Sequence, residues 1–269
     1  MLLVRARHLL RVALSLALLL PAGCDTQPSW IESAQAEAQP RPKPDASQEA
    51  PPSAVQATGN SIAQAAAAVR VERLENMAPE VFVTRGRAGP QRLVFLHGMC
   101  GHAMGYAQSF QFAAARWGRL IAPQGDVSCG KGPWAKWSQD LESLDRRIVD
   151  SFMQLGLEPE QITLIGYSQG ATRAEQLVKK YPERYRYLIS IGAPEAVSSR
   201  GLGKLRAAVM MAGEHDRQDQ MRAGVTLLEK QGVPANFMEL PGARHGAMGR
   251  TPEKSMESAL DWLYAHAER

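Results

Sequence analysis

The chain has 269 residues, 45% apolar and 22% charged, a globular composition that excludes collagen-like or wholly disordered chains and suits one large α/β domain. Its formal charge is +4, but three of the 31 basic residues, Arg5, Arg7 and Arg11, lie in the first 23 positions, where no acidic residue stands. Without them 28 basic residues face 27 acidic ones, which excludes a nucleic-acid binder that relies on clustered phosphate-neutralising charge.

Those arginines precede a nine-residue apolar run, 12–20, and then Pro21, Ala22, Gly23 and Cys24. A basic region followed by a short apolar run predicts an export signal over 1–23, too short to cross a bilayer core of about 30 Å. The small Ala22 and Gly23 before Cys24 resemble a bacterial lipobox, which implies a lipid on Cys24 and a membrane anchor facing the periplasm or the cell exterior. Pro21 departs from that pattern, and a plain secreted protein cut nearby is the alternative. Residues 24–68 are rich in Pro, Ala, Gln and Ser; such a segment cannot bury enough surface to offset its ordering entropy and reads as an extended tether. Of three cysteines, lipidation of Cys24 leaves Cys100 and Cys129 as a pair that an oxidising compartment allows to bond.

From residue 70 onward, apolar strands alternate with helices. Strands are predicted over 80–84, 92–96, 119–122, 161–165, 187–191, 207–211 and 235–240. Helices are predicted over 108–117, 138–155, 169–180, 218–231 and 255–267. Continuous apolar strands between helices imply a mostly parallel sheet covered on both faces, so the fold class is α/β, with residues 69–269 as the catalytic domain.

Gly166-Tyr167-Ser168-Gln169-Gly170 matches G-x-S-x-G. The motif alone is a weak signal, but here it joins a predicted strand to a predicted helix, the context of a nucleophile elbow. Gly166 and Gly170, lacking Cβ, let strand and helix approach closely; the bland alternative is a serine capping a helix. A serine hydroxyl needs a base, and the base needs an orienting acid. Of six histidines, His245 lies in a Gly-rich loop after the last strand and is assigned as the base, with His215 as a wall or solvated residue. Asp216, at the end of the preceding strand, is assigned as the acid; Asp219 and Glu195 are its rivals. His97-Gly98 follows the strand over 92–96, so the Met99 N–H and the Gln169 N–H are the expected oxyanion donors. A metal pair at His97 and His102 lacks a third ligand, and no metal or cofactor is expected.

Taken together, His97-Gly98, the Ser168 elbow, Gly213-Glu-His-Asp216 and Gly242-Ala-Arg-His245 resemble the α/β-hydrolase superfamily over residues 80–269. The Ser-Gln-Gly elbow, Ile121-Ala-Pro-Gln124 and the stretch 227–232 are similar to its phospholipase/carboxylesterase branch, which includes acyl-protein thioesterases. The resemblance implies cofactor-free hydrolysis of esters or thioesters. Export makes cytosolic acyl-proteins poor candidate substrates, and Arg244 stands where a small residue is usual. In that strand order the segments ending at Leu96 and Ala122 are neighbours, which brings Cys100 and Cys129 within bonding reach.

The loop 125–137 follows a strand and lies near the active edge. Its Trp134 and Trp137 either line an acyl pocket or cover the edge of the core, and Tyr167 is taken as a further substrate contact. Only about fifteen residues separate the strands ending at 191 and starting at 207, too few for a cap domain. An open site on a monomer suits a small-molecule or polymer-linked ester. A peptidase or acyltransferase on the same three residues, or a non-catalytic envelope binding module, are the other readings.

Overall fold

The structure, a computed structural model, describes residues 69–198 and 200–267. The export signal, Cys24 and the whole tether lie outside the described residues. Two antiparallel strands, β1 (Arg70–Leu74) and β2 (Val81–Arg85), lead into β3 (Gln91–Leu96). Helices α1 (Ala103–Ser109) and α2 (Gln111–Trp117) then precede β4 (Gly118–Pro123), which is followed by a two-strand hairpin, β5 (Val127–Ser128) and β6 (Ala135–Lys136). The remainder alternates: α3 (Leu141–Gln154), β7 (Ile162–Tyr167), α4 (Gln169–Lys180), β8 (Tyr185–Ile191), β9 (Ala207–Gly213), α5 (Asp219–Glu229), β10 (Ala235–Leu240) and α6 (Pro252–Ala265).

The main sheet has eight strands in the order β1-β2-β4-β3-β7-β8-β9-β10, parallel from β4 to β10. Strands buried on both faces must be apolar throughout, and alternate side chains then feed two separate cores. Leu96, Leu164, Leu188 and Met210 meet Ile148, Phe152 and Leu177 from α3 and α4. Phe95, Ile165, Ile189 and Val209 meet Phe110, Leu260 and Leu263 on the opposite face, under α1, α2 and α6. No helix among the described residues is long and apolar enough to cross a membrane.

Three of the differences from the sequence reading have a plain physical reason. Strand β1 has only two apolar residues in five, because it is an edge strand with one open side. The helix expected over 108–117 is two helices that begin at Ala103 and break at the buried Phe110 (φ −145°). Helix α6 starts at Pro252 rather than 255, since proline is well suited to the first turn, where its missing N–H costs nothing.

The β3 and β4 loops leave the same sheet edge side by side and are bonded to each other at several points. The Cys100–Cys129 disulfide joins them with a Cα separation of 5.5 Å. Gln124 receives the Ala103 N–H at 2.8 Å and donates to the carbonyls of Gly101 (3.1 Å) and Pro133 (2.8 Å). His97 is fully buried; its Nε2 accepts the Gly125 N–H at 2.8 Å, which leaves the proton on Nδ1 to be donated to the Gly98 carbonyl at 2.7 Å. Burial pushes the His97 pKa down from 6.5 to about 4.

Two outcomes follow from these bonds. Between pH 6.5 and 4 the unfolded chain binds a proton at His97 that the folded chain refuses, so this stability contribution is complete above about pH 6.5 and falls away on acidification, by about 3 kcal/mol in all. Urea unfolding from pH 8 to pH 5 should show a shallower pH slope for His97→Gln than for the wild type; equal slopes would contradict the assignment. Breaking the disulfide, which closes a separation of 29 residues, should cost about 3–4 kcal/mol in the Cys100→Ser/Cys129→Ser variant, less any strain relieved. Alkylation of both thiols in the oxidised protein without reductant would rule the bond out.

Candidate active site

Ser168 lies between β7 and α4 with φ 51° and ψ −117°, a conformation that a residue with a Cβ adopts at a cost of about 1–3 kcal/mol. Its N–H donates to the Ile191 carbonyl at 2.8 Å, and its own carbonyl accepts the Ala171 N–H at 2.9 Å, so strand and helix both hold it. The turn requires Gly170: a Cβ there would fall 2.0 Å from the Leu96 carbonyl oxygen, a backbone atom that cannot yield. The hydroxyl therefore stands at the C-terminal edge of the sheet, partly open to solvent.

Ser168 Oγ lies 3.0 Å from His245 Nε2, and His245 Nδ1 lies 2.9 Å from Asp216 Oδ2. A carboxylate only accepts, so the imidazole proton sits on Nδ1 and Nε2 is left to receive the hydroxyl proton. The Asp216 side chain is 11% exposed against 50% for His245, so the carboxylate is enclosed while the imidazole stays open to solvent. The Arg217 N–H donates to the other Asp216 oxygen at 2.7 Å. Gly192 (φ 52°) passes beneath the pair, and a Cβ there would fall 3.1 Å from Asp216 Oδ2. Neither rival acid bonds His245: Asp219 opens α5 and Glu195 is exposed in the loop after β8. His215 is exposed and is held by its backbone N–H to Ala243.

The His97–Cys100 turn runs beside the elbow, because β3 and β7 are in register with Leu96 opposite Gly166. Met99 is 62% exposed, and its N–H has no acceptor among the described residues. Gln169 is the first residue of α4, where a helix leaves its N–H groups unbonded. Both donors thus come from backbone with nothing else to satisfy it.

Burial corrects Tyr167 as a substrate contact and favours the core-covering reading of Trp137. Tyr167 is 2% exposed, and its hydroxyl accepts the Gly246 N–H, so it fastens the His245 loop to β7. Its ring packs between Tyr106 and His245, with centroids 5.6 and 5.7 Å away. Trp137 is 4% exposed, with its indole N–H donated to the His97 carbonyl at 2.7 Å. Trp134 is half-buried at the end of the hairpin loop, edge-on to His102 at 6.2 Å. The bracing roles of His97, Gln124 and Trp137 were not assigned from sequence. A polar residue closing an apolar run, as His97 and Gln124 do after β3 and β4, is the signal that marks such positions. Among the described residues no group of three His, Cys, Asp or Glu side chains is arranged to hold a metal ion.

No known protein-family model and no curated protein matches the chain. Solved structures do. Carboxylesterase CesB (YbfK) from Bacillus subtilis is 15% identical with a TM-score of 0.54, covering 77% of this chain and 95% of its own. Esterase PE8 is 18% identical with a TM-score of 0.52, covering 72% and 99%. TT1662 from Thermus thermophilus is 17% identical with a TM-score of 0.53, covering 75% and 99%. Their strand and helix arrangement is that of the sheet described above: the chain has the α/β-hydrolase fold.

Proposed function

We propose that the protein is a serine hydrolase that cleaves carboxylic esters or thioesters through an acyl-enzyme. The observation that carries this reading is the unbroken hydrogen-bond chain from Ser168 Oγ through His245 to Asp216, set on a strained elbow. Strain of this kind persists only where the surroundings enforce it, and it clusters at reactive positions.

In the first half-reaction Ser168 Oγ attacks the acyl carbonyl while His245 Nε2 takes its proton. The new imidazolium is stabilised by Asp216, and the oxyanion accepts hydrogen bonds from the Met99 and Gln169 N–H groups. Collapse of the tetrahedral intermediate expels the alcohol or thiol, which leaves with the proton from His245. Water then repeats the sequence on the acyl-Ser168 ester and releases the carboxylic acid. The chemistry needs no cofactor.

Fifteen residues link β8 to β9, too few for a cap domain there, and accessible esters, including polymer-linked ones, suit such a site. Trp134 offers the one aromatic wall of the expected substrate set that is not buried. Export and a lipid on Cys24 would hold the domain at a membrane surface, where such polymers lie.

Ser168→Ala should abolish hydrolysis of p-nitrophenyl esters while leaving thermal unfolding within a few degrees of the wild type. Unchanged turnover by the purified variant would sink the assignment. Asp216→Asn should lower kcat by about 10³–10⁴, whereas Asp219→Asn and Glu195→Gln should stay within a few fold. A larger loss from either of the latter would move the acid. Esters of graded chain length run beside peptide anilides separate an esterase from a peptidase, and faster anilide cleavage would favour the second.

A further inference from the structure

The two expected oxyanion donors belong to separate pieces of chain. Met99 follows β3, and Gln169 opens α4, so no single element sets the distance between them. A third segment touches both. The Trp137 indole N–H donates to the His97 carbonyl at 2.7 Å, two residues before Met99. Its backbone pairs with the Gln169 side chain: the Trp137 N–H donates to Oε1 at 3.0 Å, and Gln169 Nε2 donates to the Trp137 carbonyl at 3.3 Å. The carboxamide thus ties the residue that supplies one donor to the residue that holds the loop of the other.

We propose that Trp137 is a positioning residue that fixes the two oxyanion donors relative to each other, an inference that rests on the serine-hydrolase reading above. Its surroundings favour rigidity. Trp137 is 4% exposed, and in that setting an unmade indole hydrogen bond would be costly. One side of the indole packs on the His97 ring, with centroids 4.7 Å apart. The Arg147 guanidinium approaches the same indole, 5.8 Å from its centroid; Arg147 is buried, and its Nη1 has no hydrogen-bond acceptor among the described residues. The indole and the Asp126 carboxylate both stabilise this cation, and the cation in turn restricts the indole.

The function of such a brace is preorganisation. Donors that stand at fixed separation before charge develops stabilise the transition state without reorganising, and a displacement of about 1 Å is enough to cost two orders of magnitude in rate. Filling core volume alone would not require the indole N–H or the Gln169 carboxamide. Losing an interaction expressed only as charge develops lowers kcat while sparing ground-state binding.

Trp137→Phe keeps an aromatic ring and deletes the bond to His97. Gln169→Met keeps the backbone N–H and deletes the carboxamide pair, and it decides the matter should Trp137→Phe fail to fold. Each should lower kcat on a p-nitrophenyl ester by about 10- to 100-fold with KM within threefold, counted per site titrated with a fluorophosphonate. Each should also weaken an alkylboronic acid, which mimics the tetrahedral oxyanion, by a matching factor. Values of kcat within twofold of wild type, or a loss explained wholly by fewer titratable sites, would overturn the brace. A wild-type protein inert to esters and to the fluorophosphonate would instead overturn the hydrolase reading beneath it.

Discussion

The left-handed backbone at Ser168 (φ 51°) is the constraint on which the rest of the site depends. A residue with a Cβ does not rest there unaided, and the penalty of about 1–3 kcal/mol is a sizeable share of the net stability of a domain. It is offset by elements that would pack in any case. Strand β7 is fully buried between β3 and β8, and α4 buries Ala174, Leu177 and Val178 against the same sheet. With both ends fixed and Gly170 pressed against the Leu96 carbonyl, the serine has no other path from strand to helix. The reactive geometry is thereby a by-product of two large cores rather than of local bonds alone.

The other participants reach the serine through the parallel arrangement. Each parallel strand ends at the same sheet edge, so the loops after β3, β4, β8, β9 and β10 converge there. Residues as distant in sequence as His97, Gly125, Trp137 and Gln169 become neighbours. A buried neutral histidine and a glutamine carboxamide satisfy the loops' backbone groups where no regular ladder does so. The Cys100–Cys129 bond adds a covalent constraint to the same pair of loops.

How much of this was legible in the sequence depended on how local each signal was. Strands β3, β7, β8 and β9 announced themselves as unbroken apolar runs because both faces are covered. Ser168, His245 and Asp216 were readable because each sits at a strand end in a recognisable turn, and the hydrogen bonds at 3.0 and 2.9 Å join those residues and not their rivals. Strand β1 was illegible, since an edge strand needs few apolar residues, and Gly105 masked α1. Tyr167 was misread, and the role of Trp137 was left open, for a different reason. An aromatic residue near a nucleophile looks like pocket lining until its polar atom is traced, and the partners here are Gly246, 79 residues away, and His97, 40 residues away. Such pairings belong to tertiary structure and leave no mark on spacing.

In the proposed reaction Ser168 carries the acyl group during turnover. Rapid acid quench of the wild-type protein during hydrolysis of a p-nitrophenyl ester, followed by digestion and mass spectrometry, tests it directly. The acyl mass should appear on the peptide containing Ser168 and on no other. Steady turnover with the acyl group on another residue, or no turnover of any ester or thioester offered, would contradict it.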